Sequence, residues 1–199
     1  MNVVQDTRTQ PLQLDLLNQT FKVKTNWNVI TGVPCAGKTT TLAALQELGY
    51  NWHPEIARNY IESLLERGHS LQEIRNDEGE FQRGLIDAKV ALEASCDPKE
   101  TIFFDRAMPD SVTYYRVAGL NPNEALVDCF NFQYARVFIF DPLPLQSDHA
   151  RTENSLTIEF LNTWLERDYT TLGYNTIRVP VMPVQKRVEF VLQHINARV

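Results

Sequence analysis

Three short stretches, Trp27 to Ile30, Thr101 to Phe104 and Val137 to Phe140, run apolar rather than alternating. That pattern belongs to strands buried on both faces of a parallel sheet. Tyr50 to His53 and Thr176 to Val179 are weaker strand candidates. Helical spacing fills the intervals. Leu71, Ile74, Phe81, Leu85, Ala88 and Leu92 draw one apolar stripe, which predicts a single long helix packed on the sheet. Ile56, Tyr60, Ile61, Leu64 and Leu65 form the apolar face of a shorter helix, and Ile158, Leu161, Leu165 and Leu172 that of a later one.

Helix punctuation agrees with these assignments. Ser70 with Glu73 reads as a capping box, and Asn121-Pro122 followed by Glu124 supplies a cap, a proline at the first helical position and an acidic first turn. Asp97-Pro98 ends the long helix. The predicted order is β, α, β, α, α, β, α, α, β, α, β, α. It implies crossover connections and a three-layer α/β fold with helices on both faces of the sheet. Residues 1–26 are read as an N-terminal extension, an arm or an added edge strand, and residues 27–199 as one domain.

A chain of 199 residues with 43% hydrophobic content can bury one substantial core. Its net charge of −6 gives no general basic field for nucleic acid or anionic lipid, so a small molecule is the expected partner. Cys35, Cys96 and Cys129 form an odd set without C-x-x-C spacing, which argues against a disulfide framework or a zinc site and fits a reducing cytoplasm. No stretch approaches 18 apolar residues, so no membrane span is expected.

After the first strand, Gly32-Val33-Pro34-Cys35-Ala36-Gly37-Lys38-Thr39 matches G-x-x-x-x-G-K-[ST], and Thr40 follows. A polyphosphate held by converging backbone amides needs glycine where the chain turns; Lys38 reaches the terminal phosphates and the Thr39 hydroxyl ligates Mg²⁺. The next helix, from about Lys38 to Leu48, points its positive end at the same anion. Motor ATPases commonly end a neighbouring strand in Asp-Glu, but this strand ends in Asp105-Arg106. A guanine-reading N-K-x-D or T-K-x-D tetrapeptide does not occur. Asp105 and Arg106 suit a kinase instead, as an acid that holds or deprotonates an acceptor hydroxyl near the γ-phosphate and a cation for the transition-state charge. Glu55 and Arg58, three apart at a helix start, are candidates to bracket an acceptor, and Gln82 is a further substrate-side candidate. PLPLQSDHARTENS reads as a lid whose closure would bring Arg151 onto the transferring phosphate and expel water. His53 lacks a partner at metal-ligand spacing and reads as structural.

GVPCAGKTT, PEIARNYI, FFDRAMPDSVTYYRVAG, VFIFDPLP and the D-x-x-R-x-E of DHARTE resemble a P-loop family of AAA-type predicted ATPases. That family is related to bacterial ribosylnicotinamide kinase domains and, more distantly, to nucleoside and nucleotide kinases. The resemblance spans about residues 27 to 198. It implies a nucleotide-kinase-like fold with a five-stranded parallel sheet ordered 2-3-1-4-5, ATP or another NTP with Mg²⁺, and a lid. It also implies that Gly32, Gly37, Lys38, Thr39 and Thr40 bind the triphosphate and metal, that Asp105 is the base or metal-side acid, Arg106 a phosphate ligand and Arg151 the lid arginine. Two activities are expected to compete: phosphoryl transfer to a nucleoside or nicotinamide-riboside-like acceptor, and an NTP-binding ATPase- or GTPase-like module whose lid contacts a protein partner. By fold analogy, base contacts are expected from Pro180 to Val184.

Overall fold

The computed structural model describes residues 7–144 and 155–196. Strands are β1 (Val23–Lys24), β2 (Asn28–Gly32), β3 (Asn51–His53), β4 (Ile102–Asp105), β5 (Phe132–Gln133), β6 (Arg136–Phe140) and β7 (Thr176–Val179). Helices are α1 (Leu14–Leu17), α2 (Lys38–Glu47), α3 (Ile56–Glu66), α4 (Leu71–Asn76), α5 (Glu78–Ser95), α6 (Met108–Val117), α7 (Pro122–Leu126), α8 (Ser155–Thr171) and α9 (Val184–Asn196).

The main sheet has the order β3-β4-β2-β6-β7, and every neighbouring pair is parallel. Numbered by the five strands of the sequence pattern, this is 2-3-1-4-5. Pleating separates consecutive apolar residues into two cores. Val29, Phe104, Val137 and Ile139 face one cluster with Tyr115 and Tyr169, whereas Ile30, Phe103, Phe138 and Phe140 face the other with Leu42, Leu45, Leu161 and Leu165. Burial on both faces explains why β2, β4 and β6 lack polar alternation.

One expectation is corrected. The stripe from Leu71 to Leu92 is two helices, α4 and α5, because Asp77 leaves helical geometry (φ −118°, ψ 68°) and its carboxylate accepts the Glu80 amide at 2.8 Å. A capping carboxylate satisfies a free helix-start amide and so favours a new helix over continuation. The extension does not add an edge strand to the main sheet. Val23 and Lys24 instead pair in parallel with Phe132 and Gln133 in a separate two-stranded ladder. Ahead of it, Arg116 Nη1 donates to the Gln10 carbonyl at 2.5 Å, Thr7 Oγ1 donates to the Gly119 carbonyl at 2.7 Å, and Leu12 is buried.

The capping box at Ser70 and Glu73 and the Asn121 cap stand where the pattern placed them. Arg151 and most of the expected lid lie outside the described residues.

Candidate active site

Burial on both sides of β2 and β4 brings their carboxyl ends side by side, with Ile30 in register with Asp105. Open α/β sheets bind ligands in the crevice beyond such ends. Gly32 takes φ +139°, and a Cβ there would sit 2.6 Å from the Phe140 carbonyl oxygen, so only glycine lets the loop leave the sheet at this point. Gly37 takes φ +81° as the N-cap of α2. Between them, Val33 and Ala36 are buried, Pro34 is part-buried, and Cys35 is exposed with φ +61°.

Lys38 folds back under the loop. Its Nζ donates to the Gly32 and Val33 carbonyls at 3.2 and 3.0 Å, and the residue is only 6% exposed. Burial, with the Arg106 charge second, pulls its pKa down to about 8. Thr39 Oγ1 donates to Asp105 Oδ2 at 3.1 Å, and Thr40 is exposed on the next position of α2. Burial lifts the Asp105 carboxyl above its ordinary value, against the pull of Lys38 and of the Thr39 hydrogen bond. Asp105 Oδ1 is buried and has no hydrogen-bond partner among the described residues. A buried, unsatisfied carboxylate oxygen beside a hydroxyl is a hard-oxygen donor pair, and this pair fits Mg²⁺.

Arg106 faces the other way. It pairs with Glu55, lies 5.1 Å from the Tyr114 ring centroid, and keeps an 8% exposed side chain. Its backbone is left-handed at φ +65°, a strained setting for a non-glycine residue. Two bonds hold that turn: Arg106 N donates to the Ile30 carbonyl at 3.0 Å, and Ala107 N donates to Asp110 Oδ2 at 2.9 Å. Asp110 is fully buried and also accepts from Thr31 on β2 and from Tyr169 on α8, the latter at 2.6 Å.

Beyond the Arg106–Glu55 pair opens a cavity of about 290 Å³. Ile56, Ile61, Phe81, Leu85, Tyr114 and Val117 supply apolar walls, and Gln82, Lys89 and Ser111 supply polar atoms. Lys89 Nζ donates to the Ala107 carbonyl at 2.9 Å and to Ser111 Oγ at 2.7 Å, and burial lowers its pKa. Gln82 is buried and donates to Glu78 at 2.8 Å.

The fold therefore brings the phosphate loop, Lys38, Thr39, Asp105, Arg106, Glu55 and Gln82 to one crevice. Arg58 departs from expectation. Glu55 is the N-cap of α3 and lines the cavity, whereas exposed Arg58 is not among the residues that line it. Its charge still reaches Asp105, whose pKa it lowers. Lys89, Ser111 and Tyr114 escaped the sequence reading. Lys89 lies seven residues after Gln82, two helical turns along the same face, and that spacing was the available signal. His53 packs on Phe104 with ring centroids 5.3 Å apart, a structural role.

Among the described residues no helix is long and apolar enough to cross a membrane, and no three acidic, His or Cys side chains cluster as a metal site. No curated protein matches the chain. Among solved structures it resembles deoxyadenosine kinase from M. mycoides bound to dCMP and dCDP, with TM-score 0.58, 17% identity, and coverage of 86% of this chain and 100% of that one. The dATP complex of the same kinase aligns at 16% identity and TM-score 0.58, again over 86% and 100%. Thymidylate kinase from Ehrlichia chaffeensis aligns at 15% identity and TM-score 0.58, over 86% of this chain and 99% of that one. At these identities the likeness establishes the P-loop kinase fold. The family described as "AAA domain" matches residues 27–187, most of the chain, and the protein belongs to that family.

Proposed function

We propose that the chain transfers the γ-phosphoryl group of ATP to a hydroxyl of a small metabolite, a nucleoside or a nicotinamide-riboside-like molecule. One observation carries the reading. Asp105 at the end of β4 belongs to both compartments: it accepts from Thr39 of the phosphate loop and also lines the cavity, where the next residue, Arg106, pairs with Glu55. A transferase needs that adjacency, because donor and acceptor must meet in line.

The roles follow from position. The backbone of Gly32 to Gly37 with Lys38, Thr39 and Thr40 would hold the triphosphate. Thr39 and Asp105 would hold Mg²⁺, which supplies charge neutralisation when bound. The Thr39 bond and the orphaned Oδ1 favour Asp105 as the metal-side acid. Glu55 is then the acid placed to take the acceptor's proton as the new P–O bond forms and ADP departs. Arg106, beside it, would neutralise charge on the transferred group. Gln82 and Lys89 would contact the far end of the acceptor, and Arg58 would act from the rim. The apolar walls favour a molecule with a flat, uncharged body over a doubly charged monophosphate. The three cysteines are free thiols, which suits a cytoplasmic setting.

Release of ADP from Mg-ATP, followed against a panel of nucleosides, nucleotides and sugars, tests the proposal. At least one hydroxylated acceptor should raise turnover above the water background. Asp105→Asn should lower kcat by about 100-fold or more, a magnitude typical of lost electrostatic stabilisation. Tight nucleotide binding with no acceptor-dependent turnover would contradict transfer and favour the nucleotide-responsive binding module.

A further inference from the structure

Arg187, in the first turn of α9, is 6% exposed although it carries a guanidinium. Its partners are all backbone carbonyls. Nη1 donates to Ala36 O at 3.3 Å and to Gly37 O at 3.1 Å, and Nε donates to Met182 O at 3.0 Å. The guanidinium carbon lies 5.9 Å from the Phe140 ring centroid. A buried charge is retained only where it is well bonded, so this one is built into the underside of the phosphate loop.

Peptide geometry gives it a purpose. In a trans peptide unit the C=O and the following N–H point in opposite directions. The Ala36 carbonyl, held from behind by Arg187, turns the Gly37 amide to the opposite side of the loop. The Gly37 carbonyl is held three times, by Arg187, by the Thr41 amide at 3.2 Å as the first bond of α2 and by the Thr41 hydroxyl at 3.0 Å, and this sets the Lys38 amide in the same way. These amides open α2, where the helix concentrates its partial positive charge. A Cβ on Gly37 would run into the guanidinium, so the second motif glycine is bare partly because Arg187 occupies that space. Through Met182, the same group ties the loop to the turn after β7.

We infer that Arg187 is a positioning residue for the triphosphate: it aims the Gly37 and Lys38 amides at the phosphates and places a positive charge behind them. The inference rests on the reading of residues 32–39 as a triphosphate site. Nothing in the sequence of α9 marks this arginine among its neighbours.

Calorimetric titration of the full chain with Mg-ATP and with Mg-tripolyphosphate, below the melting temperature of each variant, tests it. Arg187→Ala should weaken both probes by at least about tenfold and by similar factors, as expected for losing charge-assisted bonds that order the site. Arg187→Lys keeps the charge and fewer donors, and should recover part of that loss. If the alanine variant does not fold, the lysine variant carries the test through the same paired weakening. Wild-type binding with variants within about twofold of it would overturn the positioning role alone. A wild-type chain that binds neither probe would overturn the triphosphate reading and this role with it.

Discussion

At the scale of single residues the site is governed by burial of charge. Lys38 is enclosed by the loop it serves, and its pKa of about 8 follows from that enclosure more than from Arg106. The sign has two consequences. Between about pH 8 and the ordinary lysine value of 10.5, the folded chain without nucleotide binds fewer protons than the unfolded chain, so this residue's stability deficit, full below pH 8, shrinks as pH rises. Phosphate binding favours the ammonium. Affinity for Mg-ATP should be greatest below pH 8 and fall above it, with proton uptake on binding just above pH 8. Calorimetry in buffers of different ionisation heat measures that uptake, and Lys38→Met should abolish it while weakening ATP by about 10- to 100-fold. Affinity unchanged across pH 8 would place the lysine outside the phosphate site. That Lys38, Thr39 and Asp105 come together was legible, because the loop motif and the strand-end position fix residue type and spacing at once. Arg187 was not, since its partners are carbonyls brought near only by folding, and Lys89 was marked only by its spacing from Gln82.

At the scale of elements, what stops a helix or strand matters as much as what propagates it. Gly32 ends β2 with φ +139° against the Phe140 carbonyl. Gly32→Ala should lower stability by about 1–3 kcal/mol or more through backbone strain and contact, at about 2–4 °C of melting temperature per kcal/mol for a chain of this length. Nucleotide affinity should fall with it, and a variant that melts and binds like wild type would contradict this account of the loop. The buried strands and the caps at Ser70 and Asn121 could be read directly, because each is a local pattern with a local cause. The break at Asp77 could not, because the apolar stripe runs through it in phase and only the cap on Glu80 separates α4 from α5. The stripe of α3 was read correctly as apolar, yet none of its residues is buried; Ile56 and Ile61 line the cavity instead of packing in a core. Periodicity identifies an apolar face and is silent on whether protein or ligand covers it.

Across the whole molecule, two buried networks connect the crevice to its surroundings. Asp110 joins β2, the turn after β4 and α8 through Thr31, Ala107 and Tyr169. Behind it, Arg116 and Asp168 form an ion pair with both side chains 1% exposed, and Arg116 also holds the carbonyls of Arg8 and Gln10. The N-terminal arm is thus secured to α6, which lines the cavity. Sheet order was legible through the family resemblance, which implied 2-3-1-4-5; the crossover connections alone gave the three-layer α/β fold. The arm was not, because its anchors are single bonds to residues about a hundred positions away. All of this converges on one adjacency, the glycine-rich loop and the cavity meeting at Asp105 and Arg106, on which the proposed transfer rests. The most direct test follows the label from γ-³²P ATP with Mg²⁺ in the presence of a nucleoside mixture. The account predicts label in a phosphorylated acceptor, lost in Lys38→Met; label recovered solely as inorganic phosphate, or left entirely in ATP, would contradict it.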